Sequence, residues 1–136
     1  MNPRRHLTIS QDPVVLPDGF ADGQLGAELI FLGRVRGTEN GEPISGILYT
    51  CYEAMAQQEM ERIHAEIMAA HGPHDVIVHH RIGFVPNGEA SLLIACGTRH
   101  SPEAFTLVHA YLRRIKESLP VWKHCQPADV SMPASL

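Results

Sequence analysis

The chain has 136 residues and a mass of 15.0 kDa, which is the size of one domain. It is 44% hydrophobic, enough to form a core, and a net charge of −4 without a long basic run argues against binding to nucleic acid or a membrane surface. No apolar stretch is long enough to span a bilayer, and none follows Arg4 and Arg5 as it would in a secretory signal. Because Cys51, Cys96 and Cys125 form no C-x-x-C pair, we expect a reducing, cytoplasmic location.

The first third of the chain is predicted to contain a loop and two strands. Residues 10–24 are rich in Pro, Gly and Asp, which indicates a loop. Residues 25–36 and 44–52 are apolar and partly β-branched, which predicts strands. Residues 37–43 have the composition of a turn, so we expect the two strands to pair as a hairpin.

The hydrophobic period then changes, and residues 54–70 are predicted to form an amphipathic helix. Met60, Ile63 and Ile67 recur at helical spacing, with Glu, Gln and Arg between them. Gly72 and the proline after it are typical of a helix end.

Two more strands and a second helix follow. Residues 76–84 and 90–97 are predicted strands joined by a turn. A Ser-Pro-Glu sequence opens the second helix over residues 101–119, and Pro120 stops it. Residues 126–136 indicate a loose tail.

The predicted order β-β-α-β-β-α indicates an α+β fold, with an antiparallel or mixed sheet on which the helices pack. We expect a single domain over residues 1–136, with its core in residues 25–124. No glycine-rich phosphate loop stands at a strand-to-helix turn, which excludes a nucleotide-binding doubly wound fold. We expect no cofactor.

The two lysines of the chain, Lys116 and Lys123, flank the helix-breaking Pro120. A turn at this proline would bring the second ammonium group back toward the first. Two ammonium groups that lie close together either lower a pKa or hold an anion between them, and both outcomes suit catalysis. The alternative is that Lys116 only complements the dipole at the end of the helix.

The surrounding segment is basic. Between Arg99 and His124 there are five lysines and arginines and two glutamates, a net charge of +3 within an acidic chain. This pattern predicts a site for a small anion or an acidic partner segment, whereas the alternative is a solvated helix face.

Two further residue types suit an anion site. His100 stands at a strand-to-helix junction, where it could act as a general acid or base, contact an anion, or serve only in capping or packing. Arg34 and Arg36 end the first predicted strand and share one of its faces.

Metal-binding patterns are weak. His79 and His80 are neighbours in a strand and point to opposite faces, so they cannot chelate together. Glu61 and His64 have the Glu-x-x-His spacing found in helical bundles that bind two metal ions, but the sequence has no second Glu-x-x-His pair. We expect no metal site.

Five motifs occur in order along the chain: Phe31-Leu32-Gly33-Arg34-Val35-Arg36, Leu48-Tyr49 with Tyr52-Glu53-Ala54-Met55-Ala56, His80-Arg81-Ile82-Gly83 with Gly88-Glu89, His100 with Ala104-Phe105, and Lys116 through Lys123. Together they resemble the large, catalytic subunit family of molybdopterin synthase, the MoaE-like proteins.

The resemblance implies a hammerhead-like α+β fold and a homodimer at the centre of a heterotetramer. It implies that each protomer binds a small ubiquitin-like sulfur-carrier subunit, whose C-terminal Gly-Gly thiocarboxylate enters the pocket. The implied activity is a sulfurtransferase that converts cyclic pyranopterin monophosphate (precursor Z) into molybdopterin. Nucleic acid and membrane are not among the implied partners.

The resemblance also implies roles for individual residues. Lys116 would perform acid/base work or stabilise a covalent intermediate, and Lys123 would bind the substrate anion and stabilise charge. Arg36 and His100 would bind the pterin or its phosphate. Arg99 is a candidate to replace an arginine that the family carries after this histidine.

The chain departs from the family pattern at three positions. Ser101 stands where the family has that arginine, Thr50 replaces a glutamate, and His124 replaces an acidic residue. Two alternatives therefore stay open: a non-catalytic binding module that retains the fold and the carrier-docking surface, and an unrelated small-anion binder.

Overall fold

A computed structural model describes residues 3–20 and 22–128 and places eight strands and two helices within them. In chain order they are β1 (Arg5–Ser10), β2 (Ala27–Arg34), β3 (Thr38–Glu39), β4 (Glu42–Cys51), α1 (Glu53–His71), β5 (Asp75–Arg81), β6 (Gly83–Pro86), β7 (Ala90–Thr98), α2 (Ser101–Ser118) and β8 (Val121–Pro127). Within these ranges, neither helix is long and apolar enough to cross a membrane.

The strands form two sheets. The first has the order β1-β5-β7-β2, with β1 parallel to β5 and the other neighbours antiparallel. In the second, β4 lies between β6 and β8, and the short strand β3 pairs with the beginning of β4. Both helices pack on the first sheet, α1 against β1 and α2 against β7 and β2.

Each sheet has its own core. The main core fills the space between the first sheet and the helices; its fully buried members include Met60, Ile63, Val76, Val78, Ile94 and Tyr111. The second core lies around β4 and consists of Val35, Ile44, Ile47, Tyr49, Ile82 and Val85. Ile9 and Val121 pack against both, so the two cores are continuous at that point.

The predicted α+β class is confirmed. Both helices begin and end within one residue of the predicted bounds, because glycine, proline and helical spacing mark them locally. The strands predicted over residues 76–84 and 90–97 correspond mainly to β5 and β7, which pair with each other in antiparallel orientation.

The hairpin expected between residues 25–36 and 44–52 is wrong. β2 pairs with β7 in the first sheet, whereas β4 is the centre of the second. The physical reason is burial: Phe31 on β2 packs against the main core, and Ile47 on β4 belongs to the second.

The turn-rich residues 37–43 instead fold back on themselves. Thr38–Glu39 pairs with Glu42 and Pro43, around Asn40 and Gly41. Both turn residues have positive φ, 52° and 81°, which asparagine and glycine tolerate better than other residues. This small hairpin is complete by itself and does not set the pairing of β2.

Four other strands differ from the sequence prediction. Residues 76–84 divide into β5 and β6, because Gly83 has a φ of +82° and turns the chain from the first sheet into the second. β1 and β8 were not predicted. β8 continues through Pro127, into the segment predicted as a tail, and residues 129–136 lie outside the described part of the chain.

A buried polar pair connects the end of α1 to α2. The Nδ1–H of His74 donates to the Gly72 carbonyl at 2.8 Å, and the Tyr111 hydroxyl donates to Nε2 of His74 at 2.6 Å. Burial lowers the pKa of His74, because the imidazolium form would lose its hydration there. A neutral imidazole also leaves Nε2 free to accept the tyrosine hydrogen bond.

We expect the folded state to lose stability as the pH falls below the ordinary histidine value. Since the pKa of His74 is lower in the folded than in the unfolded chain, the unfolded chain binds the proton first, and stability is complete only above about pH 6.5. The urea concentration at the midpoint of unfolding should decrease when the pH is lowered from about 7.5 to about 5.5. His74→Gln should reduce that pH dependence, whereas His109→Gln, at an exposed position on α2, should leave it as in the wild type. Equal pH dependence in all three chains would contradict this.

Gly46 on β4 is a position that tolerates no side chain. An added Cβ would lie 2.3 Å from the Val85 carbonyl oxygen and 2.7 Å from Cζ of Phe84, so β6 would have to move. Gly46→Ala should lower the free energy of unfolding by about 1–3 kcal/mol, as overpacking does, measured by urea denaturation. The control is Gly23→Ala, where the added Cβ meets no atom within 4 Å. A loss no greater than that of the control would contradict the argument.

Candidate active site

A cavity of about 670 Å³ lies where the end of α2 meets both sheets. Its walls include Phe31 and Leu92 from the first sheet, Ile47 from the second, and Ile115 from the helix. The charged side chains that line it are Arg34, Arg36, Lys116, Lys123 and one carboxylate, Glu39. This excess of positive charge in a partly apolar cavity favours a small anionic ligand.

The end of α2 brings both lysines to this cavity. Lys116 is in the last helical turn, and the helix ends when Leu119 takes extended geometry, with φ −70° and ψ 122°. The Leu119 amide still donates to the Ile115 carbonyl, and Pro120 then directs the chain into β8. Lys123 lies opposite Tyr49 of β4, and both lysines line the cavity.

The alternation of β2 places the F-x-G-x-V-R motif on the cavity. Phe31, Gly33 and Val35 share one face, and all three line it. The pairing with β7 is irregular between Gly33 and Arg34, and Arg34 is also among the residues that line the cavity. Its guanidinium donates to the Gly88 carbonyl at 2.9 Å, and the residue also borders a second cavity of about 170 Å³ with Arg81 and Glu89. Arg36 follows the strand and adds a second guanidinium to the wall.

The motif His80-Arg81-Ile82-Gly83 with Gly88-Glu89 has a structural role next to the end of β2. Arg81 forms an ion pair with Glu89 at 2.7 Å, and its side chain is only 12% exposed. The Glu89 carbonyl accepts the Val35 amide, and the Gly88 amide donates to the Val35 carbonyl. These contacts hold the end of β2 and its arginines against the β6–β7 turn.

Sequence reasoning missed two polar residues of the cavity, Tyr49 and His80. They are 6% and 8% exposed, and their rings meet edge to face with centroids 5.4 Å apart. Burial, with a contribution from the charge of Lys123, lowers the pKa of His80, so its imidazole is neutral at neutral pH. The available signal was the period of β5, because His80 continues the buried face of Val76 and Val78.

The structure does not bring His100 and Arg99 to the lysines of the same chain. His100 precedes the first residue of α2, so a helix rise of 1.5 Å per residue separates it from Lys116 by about 24 Å. Its exposed side chain makes no capping hydrogen bond. Arg99 lines a separate cavity of about 440 Å³, together with Arg4 and Asp75.

Among residues 3–20 and 22–128, no group of three or more His, Cys, Asp or Glu side chains could hold a metal ion. Glu61 and His64, which have metal-like spacing, both face Arg5: its guanidinium contacts Glu61 at 2.5 Å and lies 3.4 Å from Nδ1 of His64.

The fold and the cavity define a class: a small α+β protein in which four cationic residues line one cavity at a helix end. The chain belongs to the MoaE protein family, whose profile matches residues 9–118.

Relatives agree with this assignment. The chain is 36% identical over 107 residues to the molybdopterin synthase catalytic subunit of Emericella nidulans, a match that covers 79% of this chain and 55% of the relative. It is 36% identical over 98 residues to the subunit of the same name from Pyrococcus abyssi, covering 72% of this chain and 66% of the relative. The chain thus spans only part of the length of these relatives. The crystal structure of molybdopterin synthase from Staphylococcus aureus matches with a TM-score of 0.82 and 26% identity, over 90% of this chain and 91% of that one.

The cavity should bind inorganic pyrophosphate through its cations. Lys123→Met should weaken that binding about tenfold, since it removes one charge-assisted hydrogen bond while keeping a side chain of similar length. The matched control is Arg113→Met, because Arg113 is exposed, pairs with Glu117 at 3.0 Å and does not line the cavity. Isothermal titration calorimetry measures both. An equal loss in the two variants would place the anion elsewhere.

Proposed function

We propose that this chain is the catalytic subunit of a molybdopterin synthase. It takes sulfur from the thiocarboxylated C-terminus of a small ubiquitin-like carrier and transfers it to cyclic pyranopterin monophosphate. The observation that carries the proposal is that Lys116 and Lys123 line one cavity with Arg34 and Arg36. Family membership and the names of the relatives support it.

The charges of the cavity suit both reactants. The carrier terminus and the pterin phosphate are anions, and each would be repelled by the acidic chain as a whole. Within the cavity four cations oppose one carboxylate, Glu39. Removal of these anions from water is compensated by charge-assisted hydrogen bonds from the ammonium and guanidinium groups.

Lys116 and Lys123 take different parts of the reaction. The thiocarboxylate sulfur attacks a side-chain carbon of the substrate that carries an oxygen of the cyclic phosphate. The C–S bond forms as that C–O bond breaks, the phosphate oxygen takes the electron pair, and the phosphate stays on the substrate through its other ester bond. Substrate and carrier are then joined through a thioester. Water then adds to the thioester carbonyl, and cleavage of the acyl C–S bond releases the substrate thiolate and the carrier carboxylate. Lys116 stabilises the tetrahedral oxyanion of this second step and exchanges its protons, while Lys123 and Arg36 hold the substrate anion.

His100 and Arg99 contribute to the cavity of a second copy of the chain. Both are exposed and lie at the end of α2 that is remote from Lys116. In the homodimer implied by the sequence resemblance, His100 of one chain binds substrate in the cavity of the other, with Arg99 beside it. Two carriers on this dimer give a heterotetramer.

Location and domain organisation complete the proposal. Cys51, Cys96 and Cys125 are free thiols, which supports a cytoplasmic protein. Two cores joined through Ile9 and Val121 support a single domain over residues 1–136.

The alternative, a non-catalytic binding module, depended on Ser101. This residue is the first of α2, exposed, and outside the lysine cavity. The substitution at Ser101 therefore removes none of the four cations that line the cavity, and the catalytic function is favoured.

Lys116→Ala should abolish sulfur transfer, because the oxyanion loses its ammonium partner, while the folded state and carrier binding remain. The assay mixes the variant with thiocarboxylated carrier and precursor Z and measures molybdopterin by mass spectrometry. Arg113→Ala on the exposed face of α2 is the control and should retain turnover. Normal turnover by Lys116→Ala would refute the assigned role, and absence of turnover in the wild type would favour the binding module.

A complementation experiment tests whether His100 of one chain acts in the cavity of its neighbour. Lys116→Ala and His100→Ala should each be inactive alone. A mixed dimer of the two should recover activity, because one of its cavities combines an intact Lys116 with an intact His100 from the neighbouring chain. No recovery after the chains are mixed by refolding would contradict the shared site.

A further inference from the structure

Two uncharged polar side chains, His80 and Tyr49, line the cavity beside Lys123 and have no part in the proposed sulfur transfer. His80 of β5 lies opposite Leu92 of β7, and Leu92 lies opposite Gly33 of β2, so these three residues form one row across the first sheet. All three line the cavity. Tyr49 reaches the same place from the second sheet and packs its ring edge to face against His80, at an interplanar angle of 77°.

Each of these two side chains carries a polar atom that no described residue satisfies. The Nδ1–H of His80 donates to the Arg81 carbonyl at 2.9 Å, which leaves Nε2 with a lone pair and no protein partner. The Tyr49 hydroxyl likewise has no partner among the described residues. Both residues are more than nine-tenths buried, yet neither atom is sealed from open space, unlike Nε of Arg81, which is fully buried and unpaired. Both atoms therefore open onto the cavity, where a bound ligand can supply the hydrogen-bond partner that the described residues do not.

The two groups complement each other chemically. Neutral His80 offers an acceptor at Nε2, because its other ring nitrogen holds the proton. The Tyr49 hydroxyl can donate. An acceptor beside a donor matches the N–H and C=O groups that are adjacent on a lactam or an aminopyrimidinone ring. The cations of the cavity match a phosphate and have no complement on such an uncharged ring.

We propose that Tyr49 and His80 are specificity-determining residues, which bind the uncharged N–H and C=O edge of a pterin-type heterocycle while the lysines and arginines hold its phosphate. This inference rests on the proposed function for the identity of the substrate. The Tyr49 hydroxyl donates to the ring carbonyl, and Nε2 of His80 accepts from the ring N–H. A ligand with the phosphate but without the ring uses only the cationic part of the cavity.

Two probes distinguish the contribution of Tyr49 and His80 from that of the cations: neopterin monophosphate, which has ring and phosphate, and glycerol phosphate, which has the phosphate alone. The wild type should prefer the pterin probe. Tyr49→Phe and His80→Phe should each weaken binding of neopterin monophosphate about tenfold and leave glycerol phosphate unaffected. Lys123→Met should weaken both probes. His80→Gln, which keeps an acceptor oxygen, should recover part of the preference. Urea denaturation verifies that each variant is folded.

The outcomes distinguish this inference from the proposed sulfur transfer. Ring preference without sulfur transfer would support the pterin subsite and refute the catalytic proposal. Equal affinity of the wild type for the two probes, or equal loss of both probes in Tyr49→Phe and His80→Phe, would overturn the subsite. In the sulfur-transfer assay the two variants should raise KM for precursor Z with little change in kcat, and a fall in kcat alone would overturn a binding role.

Discussion

The site depends on how α2 ends. Leu119 leaves helical geometry while its amide keeps the bond to Ile115, and Pro120 prevents the helix from continuing. The chain that emerges pairs with β4 along seven residues, which fixes the position of Lys123 opposite Tyr49. On an uninterrupted helix the two lysines would lie about 10 Å apart along the axis, without a shared enclosure. The break therefore turns two separate surface charges into one site.

Positive charges held together repel, so another part of the molecule must keep them in place. The fully buried side chains of β5, β7 and the two helices form a core that supports the cavity floor. Arg81 and Glu89 anchor the turn that holds the end of β2. The cations themselves remain exposed, where water reduces their repulsion until an anion enters. The core and the β6–β7 turn thus hold the cations in position before a ligand binds.

Local signals explain what the sequence could predict. Helix ends, the break at Pro120 and the alternation in β2 depend on residues close together in the chain, whereas the position of Lys123 also depends on the pairing of β8 with β4. The pairing of β2 with β7 depends on residues about sixty positions apart and could not be foreseen. β8 has mostly exposed side chains, so no hydrophobic period marked it. The place of His80 in the cavity was not predicted, because its row with Leu92 and Gly33 exists only in the folded register.

The length of α2 has a mechanical consequence. Its 18 residues form a stiff rod with Lys116 near one tip and His100 at the other. If both tips serve active centres of an assembly, the rod sets the spacing between those centres. An inserted helical turn would change that spacing, whereas a longer tip on the β3–β4 hairpin would not. Variation in length among natural homologues should therefore concentrate in such loops and spare this helix.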